Sequence, residues 1–153
     1  MAKRHAEPEG AGQALFQFVR HWSRRWNGPE DRKEAERGRD VLVTEAVYAL
    51  RDRAEVTVND VAAELAIDQS GASRMLSHAI EQGLLTTSTS LRDARRRTVA
   101  LTDVGRDFLA AAHQWQDSMF AVLTEDWTLE ERNQFHRAMT RLLKRSADLS
   151  HER

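Results

Sequence analysis

The sequence predicts a mainly α-helical chain broken once by a small β-hairpin. Proline and glycine are scarce, 2 and 7 of 153 residues, so few positions interrupt a helix. Apolar residues return every third or fourth position over most of the chain, as amphipathic helices require. Between Leu84 and Leu101 that period gives way to short extended runs on either side of an arginine-rich stretch, the pattern of two strands and a hairpin tip.

Ala11 to Trp26 places Leu15, Phe18, Val19, Trp22 and Trp26 on one helix face, and Asn27-Gly28-Pro29 breaks it. The charged stretch Glu30 to Asp40 has room for a short helix. Val41 to Arg53 reads as a second one, with Leu42, Val43, Ala46, Val47 and Leu50 inward. Val56-Thr57-Val58 is a short extended piece. Asn59 is the expected N-cap of the next helix, whose Val61, Ala62 and Leu65 form a short apolar stripe, with Ile67 in the turn after it. Asp68 is a second N-cap and opens a helix running to about Gln82. There Ala72, Leu76, Ala79 and Ile80 share one face, and Ser70, Ser73, Arg74 and Ser77 lie opposite. Gly83 suits the left-handed position that ends such a helix.

Leu84 to Thr87 can be a strand, Ser88 to Arg96 a hairpin tip, and Arg97 to Leu101 the return strand. Thr102 then caps a long helix with Asp103 in its first turn. Val104, Phe108, Ala111, Trp115, Met119 and Val122 share a face that Leu109, Ala112, Phe120 and Leu123 widen. So broad an apolar arc needs more than one partner. Thr128 and Glu131 form a capping box before a last helix with Phe135, Ala138, Met139, Leu142 and Leu143 inward. Two short helices followed by a small hairpin make a winged helix-turn-helix. The expected organisation is a single unit over 1–153, with the winged lobe at 41–101 and flanking helices at 11–28 and 102–149.

Composition bounds the function. Apolar residues are 41% of the chain, which argues against disorder. No run is long enough to cross a bilayer, and the first residues lack the apolar core of a secretory signal, so a cytoplasmic protein is expected. Cysteine is absent, which excludes disulfides, thiolate metal sites and thiol redox sensing. None of the six histidines stands at i, i+3 or i, i+4 from another, so no metal is expected. There is no glycine-rich phosphate loop, no zincin motif and no nucleophile elbow, and neither an enzyme nor a cofactor is implied. The net charge is only −1, but Ser90 to Arg97 holds four arginines against one aspartate. A focused basic patch on a near-neutral protein suits local contact with phosphates.

Val56 to Leu109 resembles the multiple antibiotic resistance regulator (MarR) family. The motif's first helix reads Thr57-Val58-Asn59-Asp60-Val61-Ala62-Ala63-Glu64-Leu65. Its second reads Asp68-Gln69-Ser70-Gly71-Ala72-Ser73-Arg74-Met75-Leu76 and closes with Glu81-Gln82-Gly83-Leu84-Leu85. The wing pattern is the specific part: Asp93-Ala94-Arg95, then Val99-Ala100-Leu101-Thr102 and Gly105. Gly71-Ala72 departs from the larger residues such helices often carry. The resemblance implies a homodimer, joined by the N- and C-terminal helices, that binds a near-palindromic operator, with repression relieved by a ligand in many members.

The reading that follows is a homodimeric DNA-binding transcription regulator, a repressor. Its recognition helix would present Gln69, Ser70, Ser73, Arg74 and Ser77 to the major groove, with His78 at the flank. Arg95 matches the family position that reaches into the minor groove, where narrow grooves attract arginine. Arg92, Arg96 and Arg97 face phosphates or solvent, and Asp93 pairs with a nearby arginine to hold the loop's shape. Phe18, Trp22, Trp26, Trp115, Met119, Phe120, Phe135 and Met139 form a dimer core. A small aromatic acid or phenol would fit a pocket lined by Phe18, His21, Trp22, Arg25, Tyr48 and Trp115. The alternative is a winged-helix protein-interaction module, whose recognition face would be apolar or acidic rather than serine and arginine.

Overall fold

The computed structural model describes residues 8–26 and 32–151. Its elements are α1 (Ala11–Trp26), α2 (Arg32–Ala49), α3 (Val58–Leu65), α4 (Gln69–Glu81), β1 (Leu85–Thr89), β2 (Arg97–Leu101), α5 (Asp103–Leu123) and α6 (Leu129–His151). The architecture is therefore mainly helical with one two-stranded antiparallel sheet, as the sequence predicts. Among the described residues no helix is long and apolar enough to cross a membrane. Contacts group the chain into two units, Met1–Ala110 and Ala111–Arg153.

The first unit is built around α2, α3, α4 and the hairpin. Val43 and Val47 of α2 and Leu50 in the turn after it meet Val61 of α3, Leu76 and Ala79 of α4, and Leu85 and Val99 of the strands in one cluster. Burying a side chain of this kind stabilises by about 1.5–3 kcal/mol, so the cluster fixes the lobe. The charged stretch before Asp40 does not form a separate short helix. It runs without a break into α2. No proline or strong cap interrupts it, and Asp40 is buried on this helix, which ties the polar segment to the lobe.

The cap of α3 also differs from the sequence expectation. Thr57, not Asn59, is the N-cap: the Asp60 amide donates to Thr57 Oγ1 at 3.3 Å and the Thr57 amide donates to Asp60 Oδ2 at 2.8 Å. This is a reciprocal capping box with Asp at the third helical position. Burial raises the Asp60 pKa, but the hydrogen bonds from Thr57 and the nearby Arg53 guanidinium outweigh it and hold the carboxyl below its usual value. The turn to α4 passes through Ala66 in the left-handed region, φ 52°. Gly83, φ 74°, closes α4 through amide bonds from Gly83 to Ile80 O and from Leu84 to Ala79 O, both 2.9 Å.

β1 and β2 pair in register from Leu85↔Leu101 to Thr89↔Arg97. The extended piece before α3 joins the other edge of β2, with a Thr57↔Thr98 bridge and the Val99 amide donating to Val56 O at 2.8 Å. Thr102 locks the exit of the wing: its hydroxyl donates to Gly83 O and accepts from the Gly105 amide at 2.9 Å. At Gly105 a Cβ would lie 2.0 Å from Leu84 O, so α5 can start here only without a side chain.

The second unit contains the end of α5 and α6. Phe120, Trp127 and Phe135 form a ring cluster with centroids 5.4–6.4 Å apart. The turn between the helices is tied by the Arg132 guanidinium donating to Thr124 O at 2.6 Å. The Thr128–Glu131 capping box is present, with the Thr128 amide donating to Glu131 Oε2 at 2.7 Å. That contact, with the Thr128 hydroxyl, holds the Glu131 pKa below its usual value.

Candidate nucleic-acid interface

The helix expected to read DNA, α4, has two chemically opposite faces. Ala72, Leu76 and Ala79 are buried, while Gln69, Ser70, Ser73, Arg74 and Ser77 are all exposed. The side chains on the open face are short apart from Arg74 and Gln69, so the helix can approach a groove closely while Arg74 reaches further. Asp68 caps the helix through the Gly71 amide at 2.7 Å. That bond already satisfies an N-terminal donor, so the side chains, rather than this amide, are left for an anionic partner.

His78 is not simply another exposed residue of that face. Its Nδ1 lies 2.8 Å from Asp40 Oδ1 on α2. The hydrogen bond to this carboxylate, and its charge, raise the His78 pKa above 6.5. Asp40 is not among the site residues expected from sequence.

The wing tip is held by a network centred on Ser90. This buried hydroxyl donates to Glu55 Oε2 at 2.7 Å and accepts from the Arg92 and Asp93 amides at 3.1 and 3.2 Å. Glu55 Oε1 accepts from the Leu91 amide at 2.8 Å. The Ser90 hydrogen bond is the main reason the Glu55 pKa falls below its usual value, helped by the Leu91 amide and the charge of Arg92. Asp93 accepts from the Arg95 amide at 3.0 Å and faces Arg96 Nε at 3.8 Å. Its carboxylate thus shapes the loop, while Arg92, Arg95, Arg96 and Arg97 remain exposed. An open cleft of about 320 Å³ at the foot of the wing sets Arg53, Arg92 and Arg96 against Glu55, Asp60 and Asp93. Its charges balance, in contrast to the outward face of the tip.

The aromatic residues expected to line an effector pocket are distributed over both units. On α1 the rings of Phe18 and Trp22 are 6.1 Å apart and those of His21 and Trp22 5.9 Å. Tyr48 on α2 lies beneath the Arg51 guanidinium, 4.0 Å from its ring centroid. Trp115 is exposed and belongs to the second unit. The Arg25 side chain lies outside the described residues.

Residues 41–96 match the model of the MarR family. That span holds the second half of α2, both helices of the motif, β1 and the wing tip. Over that span, about a third of the chain, the winged lobe is similar to that of the MarR family. A structure described as MarR superposes over 97% of this chain and 99% of its own with TM-score 0.74 at 17% identity. A point mutant of S. aureus MepR covers 86% of this chain and 95% of its own, with TM-score 0.62 at 23% identity. The S. aureus MepR–DNA complex covers 86% and 96%, with TM-score 0.56 at 22% identity. At these identities the likeness is one of fold. Curated protein sequences give no match.

In this winged lobe the wing pattern has a physical reading. Asp93 folds the tip so that Arg95 stands clear of it, and Thr102 and Gly105 fasten the return of the wing to the end of α4. The residues that sequence reasoning misses, Asp40, Glu55 and Ser90, all act by positioning others. Ser90 and Glu55 carry no local signal, because their contact joins residues 35 apart in the chain.

Proposed function

We propose that the chain is a homodimeric transcription regulator, a repressor that binds a near-palindromic DNA operator through α4 and the wing, and not an enzyme. The observation that carries this reading is the pairing of a serine- and arginine-bearing α4 face with an arginine-rich wing tip on one lobe. Gln69, Ser70, Ser73, Arg74 and Ser77 suit the major groove, where short hydroxyls and a longer guanidinium meet base edges and phosphates. Arg95 suits the minor groove, and Arg92 and Arg96 the flanking phosphates. The solved S. aureus MepR–DNA complex, a protein of this fold with DNA bound, supports DNA as the partner. The terminal helices, 11–28 and 102–149, supply the dimer contact. Val122, Leu142, Leu143 and Leu149 are exposed in the single chain, and a second copy would cover them while placing two recognition helices on the two halves of a palindrome.

Release by a small aromatic acid or phenol is the further part of this reading, with Phe18, His21, Trp22, Arg25, Tyr48 and Trp115 as the residues that would meet it. The clustered α1 rings support it. The test is selection of bound duplexes from a random library, followed by the mass of the complex. A palindrome bound by two chains is the expected result. Sequence-blind binding by a well-folded chain would overturn the reading. Screening aromatic acids against the selected complex then tests release, and that part fails if none dissociates it.

A further inference from the structure

His78 sits one residue after Ser77 and one turn after Arg74, at the flank of the open α4 face. Its ring is 41% exposed, whereas the Asp40 side chain that holds it is 12% exposed. A carboxylate can only accept, so Nδ1 must donate across the 2.8 Å contact. That choice fixes the tautomer. In neutral His78 the proton is on Nδ1, and Nε2 presents a lone pair. Only the imidazolium carries a second N–H, at Nε2, that an anion could accept. Among the described residues Nε2 meets no partner.

We propose that Asp40 positions His78 as a phosphate donor at the edge of the DNA-reading face, so that duplex binding takes up a proton at His78 in each chain. This rests on the DNA-binding reading above and adds a positioning residue and a condition to it. Neutral His78 would turn a lone pair toward a phosphate oxygen and repel it. Charged His78 would donate a charge-assisted bond, and the buried carboxylate behind it makes that second proton easier to hold.

The surrounding charges favour the same state. Asp40 and Glu36 of α2 and Glu81 of α4 all raise the His78 pKa. β1 has no titratable side chain. On α3, Asp60 is engaged with Thr57 and Arg53, and Glu64 is exposed. Because the folded pKa lies above 6.5, the donor is fully present below that value and is lost as pH rises through the folded value. Beyond it, affinity falls by up to about tenfold per pH unit for each linked proton.

The experiment measures affinity of the full chain for a duplex it has selected from a random library, and for a mixed-sequence duplex, from about pH 6 to about pH 8.5. The His78 ring is followed by NMR in the absence of DNA. Wild type should bind more weakly as pH rises. In Asp40→Asn the ring pKa should fall and the decline in affinity should move to lower pH. His78→Gln keeps a donor for Asp40 but cannot gain charge, and should bind with a flattened profile at the wild-type high-pH level. Denaturant unfolding shows that each variant is folded. Should Asp40→Asn fail to fold, the His78→Gln profile decides. A wild-type profile retained by His78→Gln overturns the inference, as does a flat wild-type profile, and both leave the DNA-binding reading intact. A wild-type chain that binds no duplex at any pH overturns both.

Discussion

The winged lobe and the last helix hold apolar residues in opposite ways. In the lobe, Val43, Val47 and Val61 are at most 2% exposed, and the strands close over them. On α6, Leu142 is 46% and Leu143 66% exposed, although the helix is long, well capped and amphipathic. The lobe buries a connected apolar core of its own and leaves arginines outside. The helix satisfies its backbone and leaves leucines outside. One part has its core within the single chain; the other is capped as a helix but carries surface that water disfavours. That contrast supports the proposed division, with DNA contact at the lobe and self-association at the ends.

The sharpest way to break the contrast is to charge the helix. Leu143→Glu should remove about 2 kcal/mol of apolar burial from each copy of the proposed dimer. Two copies raise the dissociation constant by roughly a thousandfold, and sedimentation should show monomers with an intact far-UV spectrum. An unchanged dimer would place the contact elsewhere. Gly105→Ala attacks the lobe instead. The new methyl would meet Leu84 O, and relieving an overlap with backbone of this kind costs about 3 kcal/mol. The denaturant midpoint should drop while α6 keeps its helicity. A midpoint within error of wild type would mean that α5 can shift freely against the wing. Arg95→Ala should change neither stability nor association. It should weaken binding to the selected duplex by about 1–3 kcal/mol, and equal affinity at moderate salt would remove Arg95 from the interface.

Local patterns in the sequence carry most of the fold. The two faces of α4, the alternation of β2, the glycine at the end of α4 and the Thr128–Glu131 box each lie within one or two turns of chain. What such patterns miss depends on contacts between distant residues. The helical period puts His78 at the flank of α4, but its partner is 38 residues earlier. The wing's arginines are legible as charge, but the Glu55–Ser90 brace that shapes the tip is not. Gly105 is visible as part of a motif, yet its reason, the approach of α5 to the Leu84 carbonyl, exists only in three dimensions. The cap of α3 escapes for a smaller reason. Its box ends in Asp60 rather than the usual Glu or Gln, and Asn59 is an equally good cap by residue type. The continuity of residues 32–40 with the rest of α2 is hidden because a charged stretch without an apolar stripe gives no period to read.

The smallest expected effect concerns the one polar side chain set among the lobe's best-buried positions. Thr44 is 0% exposed between Val43 and Val47 on α2, and its Oγ1 finds no hydrogen-bond partner among the described residues. An unpaired buried hydroxyl costs about 1–3 kcal/mol relative to a satisfied one. Valine has the same branched shape and similar stiffness on a helix, so Thr44→Val should remove that penalty without opening a cavity. The expected gain is about 1 kcal/mol, a rise of roughly 3 °C in Tm for a chain of this size. Duplex affinity and association state should stay at wild-type values, because Thr44 contributes only to the core. A lower Tm would show that the hydroxyl is satisfied in solution, by a trapped water or by a carbonyl of the preceding turn, and that the lobe's core is more polar than its packing indicates.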